Sequence, residues 1–357
     1  MRANAAIFGM IVAVPFLILS GRFIHEGHQV AFAIFSLALI SSLIKNRPIE
    51  IFGYYVAGYV AVDFIRGILM GVNPAYPYAS LGILMFVILG MLLVYAVMIS
   101  KKDSEFFFNA ICILSISQMA IALVQSFFGY DPYTEILNLV VATQNRLTPT
   151  TPMGTMGNNN FMAGYLAMSF PFFLRKKWVY ALPILVLTIY LCKTSTAIAA
   201  FGCAAAYYLW GIKKYRWYLA GAAFCFSVGY VLVTEGGIGQ TLLQNDRWLF
   251  WRHATEQITS DWWSVLFGKG LGGNTGFPFP LHNEWVQTTF HLGLVGIGIV
   301  VWFFATIRTG NRLLVASVIA IMVECLGSHP MHLVPSAILI LCVLALAARD
   351  GLEREPI

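Results

Sequence analysis

Long apolar runs alternate with short polar breaks along this chain, and the alternation predicts its elements. Runs of helical length stand near 5–21, 28–44, 50–71, 80–100, 106–128, 158–174, 178–192, 195–211, 217–234, 286–305, 313–327 and 335–348. Several contain about 17 to 22 residues without a charge, enough to cross a bilayer core of roughly 30 Å as helix. A helix satisfies its own backbone in lipid, and the weak alternation of a transmembrane barrel is absent. The pattern predicts an all-α polytopic membrane protein with about twelve transmembrane helices. It forms one membrane domain over 1–357, with N-terminal helices over 1–128, a second region over 129–348 and a tail over 349–357.

The longest break, 235–285, predicts a loop carrying an amphipathic helix. Asp246 is a suitable N-cap for a helix running to about Ile258. On that helix Arg247, Trp251, Ala254 and Ile258 share one face, while Arg252, Thr255 and Glu256 point elsewhere. Trp248, Trp251, Trp262 and Trp263 are of the type enriched at membrane interfaces. The expectation is a surface helix with its apolar face in the headgroup region and Arg247 held over the bundle. A snorkelling anchor is the plainer account of Arg247.

Composition sharpens the class, and charge supplies the orientation. With 59% hydrophobic and 11% charged residues, the chain carries less than half the charge of a soluble domain, which has about 25%. The +6 net charge would suggest nucleic acid in a soluble protein; its placement here points to membrane lipids and no nucleic acid. With the N-terminus inside, alternate connections hold 15 of the 22 basic residues, as the positive-inside rule requires. Both termini then lie on the cytoplasmic side of an inner-membrane-type protein, and the 235–285 loop lies on the periplasmic or extracellular face. No phosphate-cradling Gly-x-x-x-x-Gly-Lys-Ser/Thr sequence is present, so the chemistry belongs to the outer face without direct use of cytosolic ATP. The run after Met1-Arg2 reads as a first span, because Ser20-Gly21-Arg22 offers no small-x-small cleavage pattern. The six cysteines show neither a disulfide framework nor metal spacing.

Several residues carry candidate chemistry. Asp63 and Arg66, three apart in the third span, form either a self-satisfying pair or a functional intramembrane charge. Glu324 stands near Ser328-His329-Pro330-Met331-His332, as a proton site or a partner for His329. Two histidines without a third ligand suit helix-end hydrogen bonding better than a metal. The stretch Gly268-Lys269-Gly270-Leu271-Gly272-Gly273-Asn274-Thr275-Gly276 lacks the strand and helix of a dinucleotide loop. It reads as an anion nest beside Lys269 or as a flexible connector. His282, just before the tenth span, is a general base or a structural histidine. It shares one loop with Arg247, Arg252 and Lys269, and arginine forks match phosphate oxygens. Cations beside a titratable base suggest a lipid phosphate donor and a nucleophile to deprotonate.

Three blocks in order resemble a known family. The first is Gly154-Thr155-Met156-Gly157-Asn158-Asn159-Asn160-Phe161-Met162-Ala163-Gly164-Tyr165. The second is Arg247-x-x-x-Trp251 followed by Gly268-x-Gly270-x-Gly272, and the third is His282-Asn283 ahead of Gly293-x-x-Gly296. With the run Pro330–Pro335, they resemble the O-antigen ligase and polymerase superfamily of bacterial membrane glycosyltransferases over about 150–335. The resemblance implies a twelve-span, metal-independent, inverting enzyme without a cofactor. Its donor would be a glycan on undecaprenyl pyrophosphate. Its acceptor would be lipid A–core, as in a ligase, or another lipid-linked glycan, as in a polymerase; the ligase is favoured. By the same resemblance His282 takes the acceptor proton and Arg247 stabilises the pyrophosphate leaving group. Asn158, Asn160, Asn283, Arg252 and Lys269 are then candidate substrate contacts.

One position departs from the family. An arginine is common just after a serine at the outer start of the eighth span, where this chain has Ser195-Thr196. Lys193 or Arg146 is left to supply that charge, and lysine lacks the guanidinium fork. The end at Ile357 leaves no large outer domain of the kind found in pilin-glycosylating relatives, an expectation against a protein acceptor. The competing class is a transporter or flippase of lipid-linked saccharide, built on Asp63, Arg66 and Glu324; the plainest is a membrane scaffold. In a cysteine-free background, Asn274→Cys should react with a membrane-impermeant thiol reagent added to intact spheroplasts. Labelling only after permeabilisation would reverse the orientation.

Overall fold

The computed structural model describes residues 97, 104–128, 152–154, 156, 158–211, 217, 221, 225, 246–269, 281, 283–328, 330 and 334–354. These residues are mostly helical, and among them there is no strand. In chain order α1 is Ser104–Phe128, α2 Asn159–Phe173, α3 Leu182–Leu191 after a 3₁₀ turn at Val179–Ala181, and α4 Ser195–Trp210. Then follow α5 Asp246–Ile258, α6 Trp262–Phe267, α7 Glu284–Thr306, α8 Arg312–Gly327 and α9 Val334–Arg354. The elements agree with the runs expected from 106 to 128, 158 to 211 and 313 onward, and α9 continues six residues past the expected 348. The first three runs, the fourth apart from Val97, most of the ninth, Asp63 and Arg66 lie outside the described residues. Among the described helices, α1 alone is long and apolar enough to cross a membrane.

The bundle is built around α2. Every residue from Met162 to Phe173 is buried, as a helix that is apolar all round requires. It packs on α4, α8, α1, α3 and α9. Small residues set how closely these helices approach. Ala197, Ala200 and Ala204 of α4 and Ala316 and Ala320 of α8 are fully buried along one of the most extensive interfaces in the bundle. Close backbone approach through small residues is the mode by which apolar helices gain dispersion contact without side-chain interdigitation. A few hydroxyls cross-link the interior: Ser115 of α1 donates to Ser169 of α2 at 3.0 Å, and Ser317 of α8 donates to the Met168 carbonyl at 2.6 Å. Outside, Leu294, Val301, Trp302, Ile184 and Leu187 are exposed.

The bundle has two unlike ends. One is charged: Arg175 pairs with Glu105 and donates to Asn109, while Arg349 donates to Ser104 and to the Val97 carbonyl. There too Arg312 donates to the Gly211 carbonyl, and Asp350 accepts from Thr309 and the Gly310 amide. Amide side chains dominate the joints at the opposite end, where α7 begins. Chain direction alternates between the two ends through α1, α2, α3, α4, α7, α8 and α9.

The expected continuous helix over 286–305 is broken. Gly293, at φ +67°, interrupts α7 and leaves thirteen residues, Leu294–Thr306, beyond the break. The break has a local cause. The chain leaving α6 passes through Gly268, at φ +76°, and presses its backbone onto α7. A Cβ on Gly268 would stand 2.4 Å from the His291 carbonyl, and one on Gly293 would stand 2.3 Å from that of Leu266. Both positions require a left-handed φ and the absence of a side chain. Gly293→Ala should therefore cost at least about 2 kcal/mol in thermal unfolding, combining left-handed strain with overpacking. Gly298→Ala, in open space on the same helix, should be neutral or stabilising by up to about 1 kcal/mol. Equal effects at the two positions would contradict this account of the break.

Candidate functional site

The amide-rich end is assembled from four joints. In the first, Gln125 of α1 clamps the turn before α2. Its Oε1 accepts from the Met153 and Gly154 amides at 2.8 Å each, and its Nε2 donates to the Gly154 carbonyl at 2.9 Å. Gly154 has φ +57°, and a Cβ there would meet Gln118 Oε1 at 2.7 Å and Met162 Sδ at 2.8 Å. The leading glycine of the first motif block is thus required by two buried side chains of α1 and α2.

The second joint ties the start of α2 to the turn between α3 and α4. Asn158 caps α2 by accepting from the Asn160 amide at 2.8 Å. Asn159 Nδ2 donates to the Cys192 carbonyl at 2.8 Å, and Thr194 Oγ1 donates to Asn160 Oδ1 at 3.0 Å. Two of the expected substrate contacts, Asn158 and Asn160, thus hold the protein's own turn, and Asn159 does equal work. Lys193 sits in that turn, exposed and at φ +53°. It occupies the residue after the α3 C-cap, where glycine is usual. Among the described residues Lys193 makes no ion pair. Thr196, in the place of the family arginine, abuts α8: a Cβ on Gly327 would come within 2.6 Å of its Oγ1. A tight helix crossing occupies that position.

The third joint fixes the segment around position 282. Asn283 caps α7, its Oδ1 accepting from the Val286 amide at 3.0 Å, and its Nδ2 donates to the Leu326 carbonyl of α8 at 2.7 Å. The Glu284 amide donates to the Ser328 carbonyl at 3.1 Å. On the other side of position 282, Leu281 is held at both ends of its peptide unit. Its carbonyl accepts from the Trp251 indole at 2.6 Å, and its amide donates to Gln287 Oε1 at 3.3 Å. His282, Arg146, His329, His332 and Gly270–Gly276 lie outside the described residues. Arg247 is described as backbone in the first turn of α5. It stands one helical turn before Trp251, on the same face by register.

The fourth joint is the α5–α6 region. Ala254 and Ile258 are buried with Leu281 and Phe290 in a small core of their own, which Phe250, Trp251, Val265 and Val286 flank. The expected division of α5 holds, with Arg252, Thr255 and Glu256 exposed. Part of its apolar face, Ala254 and Ile258, packs on Leu281 and on Phe290 of α7, while Leu249 is exposed. Trp251 accordingly points inward. Trp262 and Trp263, at 69% and 57% exposure, are the outward pair.

Charge at this end is largely paired. Arg252 bonds Glu256 one turn on, at 2.9 Å. Lys269 reaches Asp261 Oδ2 and Ser260 Oγ, each at 3.0 Å. Asp261 caps α6, and hydrogen bonds from the Ser264 hydroxyl and amide, then from Lys269, hold its carboxyl well below the usual carboxylate range. It stays ionised at neutral pH and keeps Lys269 engaged. The Gly268 amide donates to the Ser264 carbonyl and the Lys269 amide to Phe290, so these two amides are not part of an anion nest.

A polar stripe missed by sequence reading completes the wall. Glu284, Gln287, Thr288 and His291 recur at helical spacing on α7, all buried, and Glu324 of α8 is 1% exposed. The Glu324 carboxylate lies against Gly164 of α2, where a Cβ would stand 2.5 Å from Oε1. The spacing of four polar residues over two helical turns inside an apolar run was the available signal. Among the described residues, no group of three or more His, Cys, Asp or Glu is arranged to hold a metal. No protein-family model, curated protein or solved structure matches the chain.

Lys193→Gly should raise thermal stability by about 1 kcal/mol by relieving the left-handed strain. A loss of stability on melting would instead assign the lysine side chain a structural contact.

Proposed function

We propose that the protein is a membrane glycosyltransferase similar in kind to O-antigen ligases. It transfers a glycan from undecaprenyl pyrophosphate to an acceptor hydroxyl at the periplasmic face of a bacterial inner membrane. The observation that carries this reading is the hydrogen bond from Trp251 to the Leu281 carbonyl. It joins the helix bearing Arg247 to the residue next to His282, so two motif blocks far apart in sequence meet at one end of the bundle. In the reaction His282 removes the proton from the acceptor hydroxyl, whose oxygen attacks the anomeric carbon. The bond to the pyrophosphate oxygen breaks with inversion, and Arg247 stabilises the charge that develops there. Lys193, exposed at the same end, supplies a second positive charge to the phosphates. Arg252 and Lys269 contribute less, since each is paired with a carboxylate. Lipid A–core is the acceptor of first choice, and a lipid-linked glycan, as in a polymerase, is the alternative.

A transporter of lipid-linked saccharide is the second reading, and the burial of Glu284 and Glu324 favours it. Buried carboxylates in an apolar bundle mark ion pathways as well as structural sites. Reconstitution with a polyprenyl-pyrophosphate glycan and candidate acceptors separates the two. His282→Ala and Arg247→Ala should each reduce transfer by at least about 100-fold, the lower range for loss of a general base or a charge-stabilising donor. Full transfer by both variants rules out the mechanism. Vectorial movement of donor without transfer, abolished by Glu324→Gln, establishes the transporter instead.

A further inference from the structure

We propose that the flank of the bundle formed by α3 is a lipid-contact face of reduced hydrophobic height, beside which phospholipid packs as a thinned bilayer. The inference goes beyond the reaction proposed above and shares with it only the placement in a membrane. Along α3 and the 3₁₀ turn before it, Tyr180, Ile184, Leu187 and Tyr190 are exposed, while Leu185 and Ile189 are buried against the bundle. The exposed residues recur at helical spacing and form one stripe. A tyrosine closes the stripe at each end, and Lys177 and Lys193, both exposed, stand just beyond. No charged residue lies between the two lysines. An uncharged stripe with an aromatic ring and a cation at each end complements a bilayer, whose phosphates lie in two planes with hydrocarbon between them. That match of charge and polarity at both ends selects lipid as the occupant of the face.

The height of the face is set by contacts at its two ends. At the charged end the Trp178 indole donates to Asn109 Oδ1 of α1 at 2.7 Å. At the amide end Asn159 donates to the Cys192 carbonyl at 2.8 Å, and the Cys192 thiol donates to the Pro152 carbonyl at 3.5 Å. Between these ends run 3 residues of 3₁₀ turn and 10 of α-helix, which together rise about 21 Å. Two neighbours give a similar height. Along α1 the distance from Asn109 to Gln125, which holds the Gly154 turn, is about 24 Å. The 16 residues of α4 return from the amide end to the charged end, again about 24 Å. A bilayer core is roughly 30 Å thick and takes about 20 helical residues. A shorter apolar height is met by local thinning of the bilayer and by flanking lysines that reach outward to the phosphates. α1, at 25 residues, overruns this height at both ends: Glu105 pairs with Arg175 beyond Asn109, and Phe127 and Phe128 are exposed beyond Gln125.

The test places one spin label at a time in the full-length, cysteine-free protein, through Tyr180→Cys, Ile184→Cys, Leu187→Cys or Tyr190→Cys. Each variant is reconstituted in phosphatidylcholine vesicles with eighteen-carbon chains. Collision with oxygen, which enters hydrocarbon, and with a nickel chelate, which stays in water, reports the depth of each label. The expected result is oxygen access without nickel access at 184 and 187, with the labels at 180 and 190 each close to its own headgroup plane. In the unmodified protein, thermal stability should be highest in vesicles with fourteen-carbon chains and fall through eighteen to twenty-two. Nickel access at 184 and 187 would put the face in water, overturning the proposal and the membrane placement together. Access to neither reagent would mean that protein, such as a second copy of this chain, covers the face, and would overturn the lipid contact alone. A label at 180 or 190 as deep as that at 187 would restore a bilayer of full height and overturn the thinning. Stability that stays level or rises with chain length would do the same, and this second measurement decides where a labelled variant does not fold.

Discussion

The ends of helices govern this structure. The first amides and last carbonyls of a helix have no partner within it, and burying them without one costs free energy comparable to a lost hydrogen bond. In a bundle this apolar, few side chains are available for the purpose, and the chain uses uncharged amides for most of it. Asn158, Asn283 and Asn311 cap α2, α7 and α8, and Gln125 satisfies both donors and an acceptor of the turn before α2. An amide side chain both donates and accepts, so one residue closes a helix end and also bonds a neighbouring element. Asn283 does so directly, capping α7 and bonding α8. Capping and helix–helix attachment are therefore one interaction, and it fixes the end of the bundle where the candidate site lies.

The motif residues at that end divide into those that build the wall and those left to act. Asn158, Asn159, Asn160 and Asn283 build, and so do Gly154, Gly268 and Gly293, whose lost side chains let backbones and buried side chains meet. Arg252 and Lys269 are committed to Glu256 and Asp261. On the proposed reading Arg247, His282 and Lys193 would meet the phosphate and the nucleophile, and of these Lys193 stands at a left-handed φ of +53°.

Much of the helix placement was legible in the sequence because hydrophobic runs and caps are local signals. The α2, α4 and α8 boundaries follow from Asn158, Thr194 and Asn311 standing directly before apolar runs. The break at Gly293 was not legible in this way, since its cause is the backbone at Gly268, some twenty-five residues earlier in the chain. The inward turn of Trp251 was hidden for a similar reason. An interfacial and an inward-facing, half-buried tryptophan have the same local pattern, and only Leu281 and Phe290 decide between them. The polar stripe Glu284-Gln287-Thr288-His291 carried a readable period, but it lay inside a run whose average hydropathy marked it as a span. Gly154, Gly164, Gly268 and Gly293 of the motif blocks each meet atoms from another element, so the reason for them is tertiary and not carried by their spacing.

The central claim is that α5 and the 281–284 segment together form the wall that receives the donor's pyrophosphate. It is tested most directly by an experimental structure of the protein bound to a non-transferable polyprenyl-pyrophosphate saccharide. The account predicts the two phosphates between the first turn of α5 and the start of α7, within hydrogen-bonding distance of Arg247 and on the side of Lys193. Phosphates seated instead among α2, α7 and α8 beside Glu324, with Arg247 facing solvent, would contradict it.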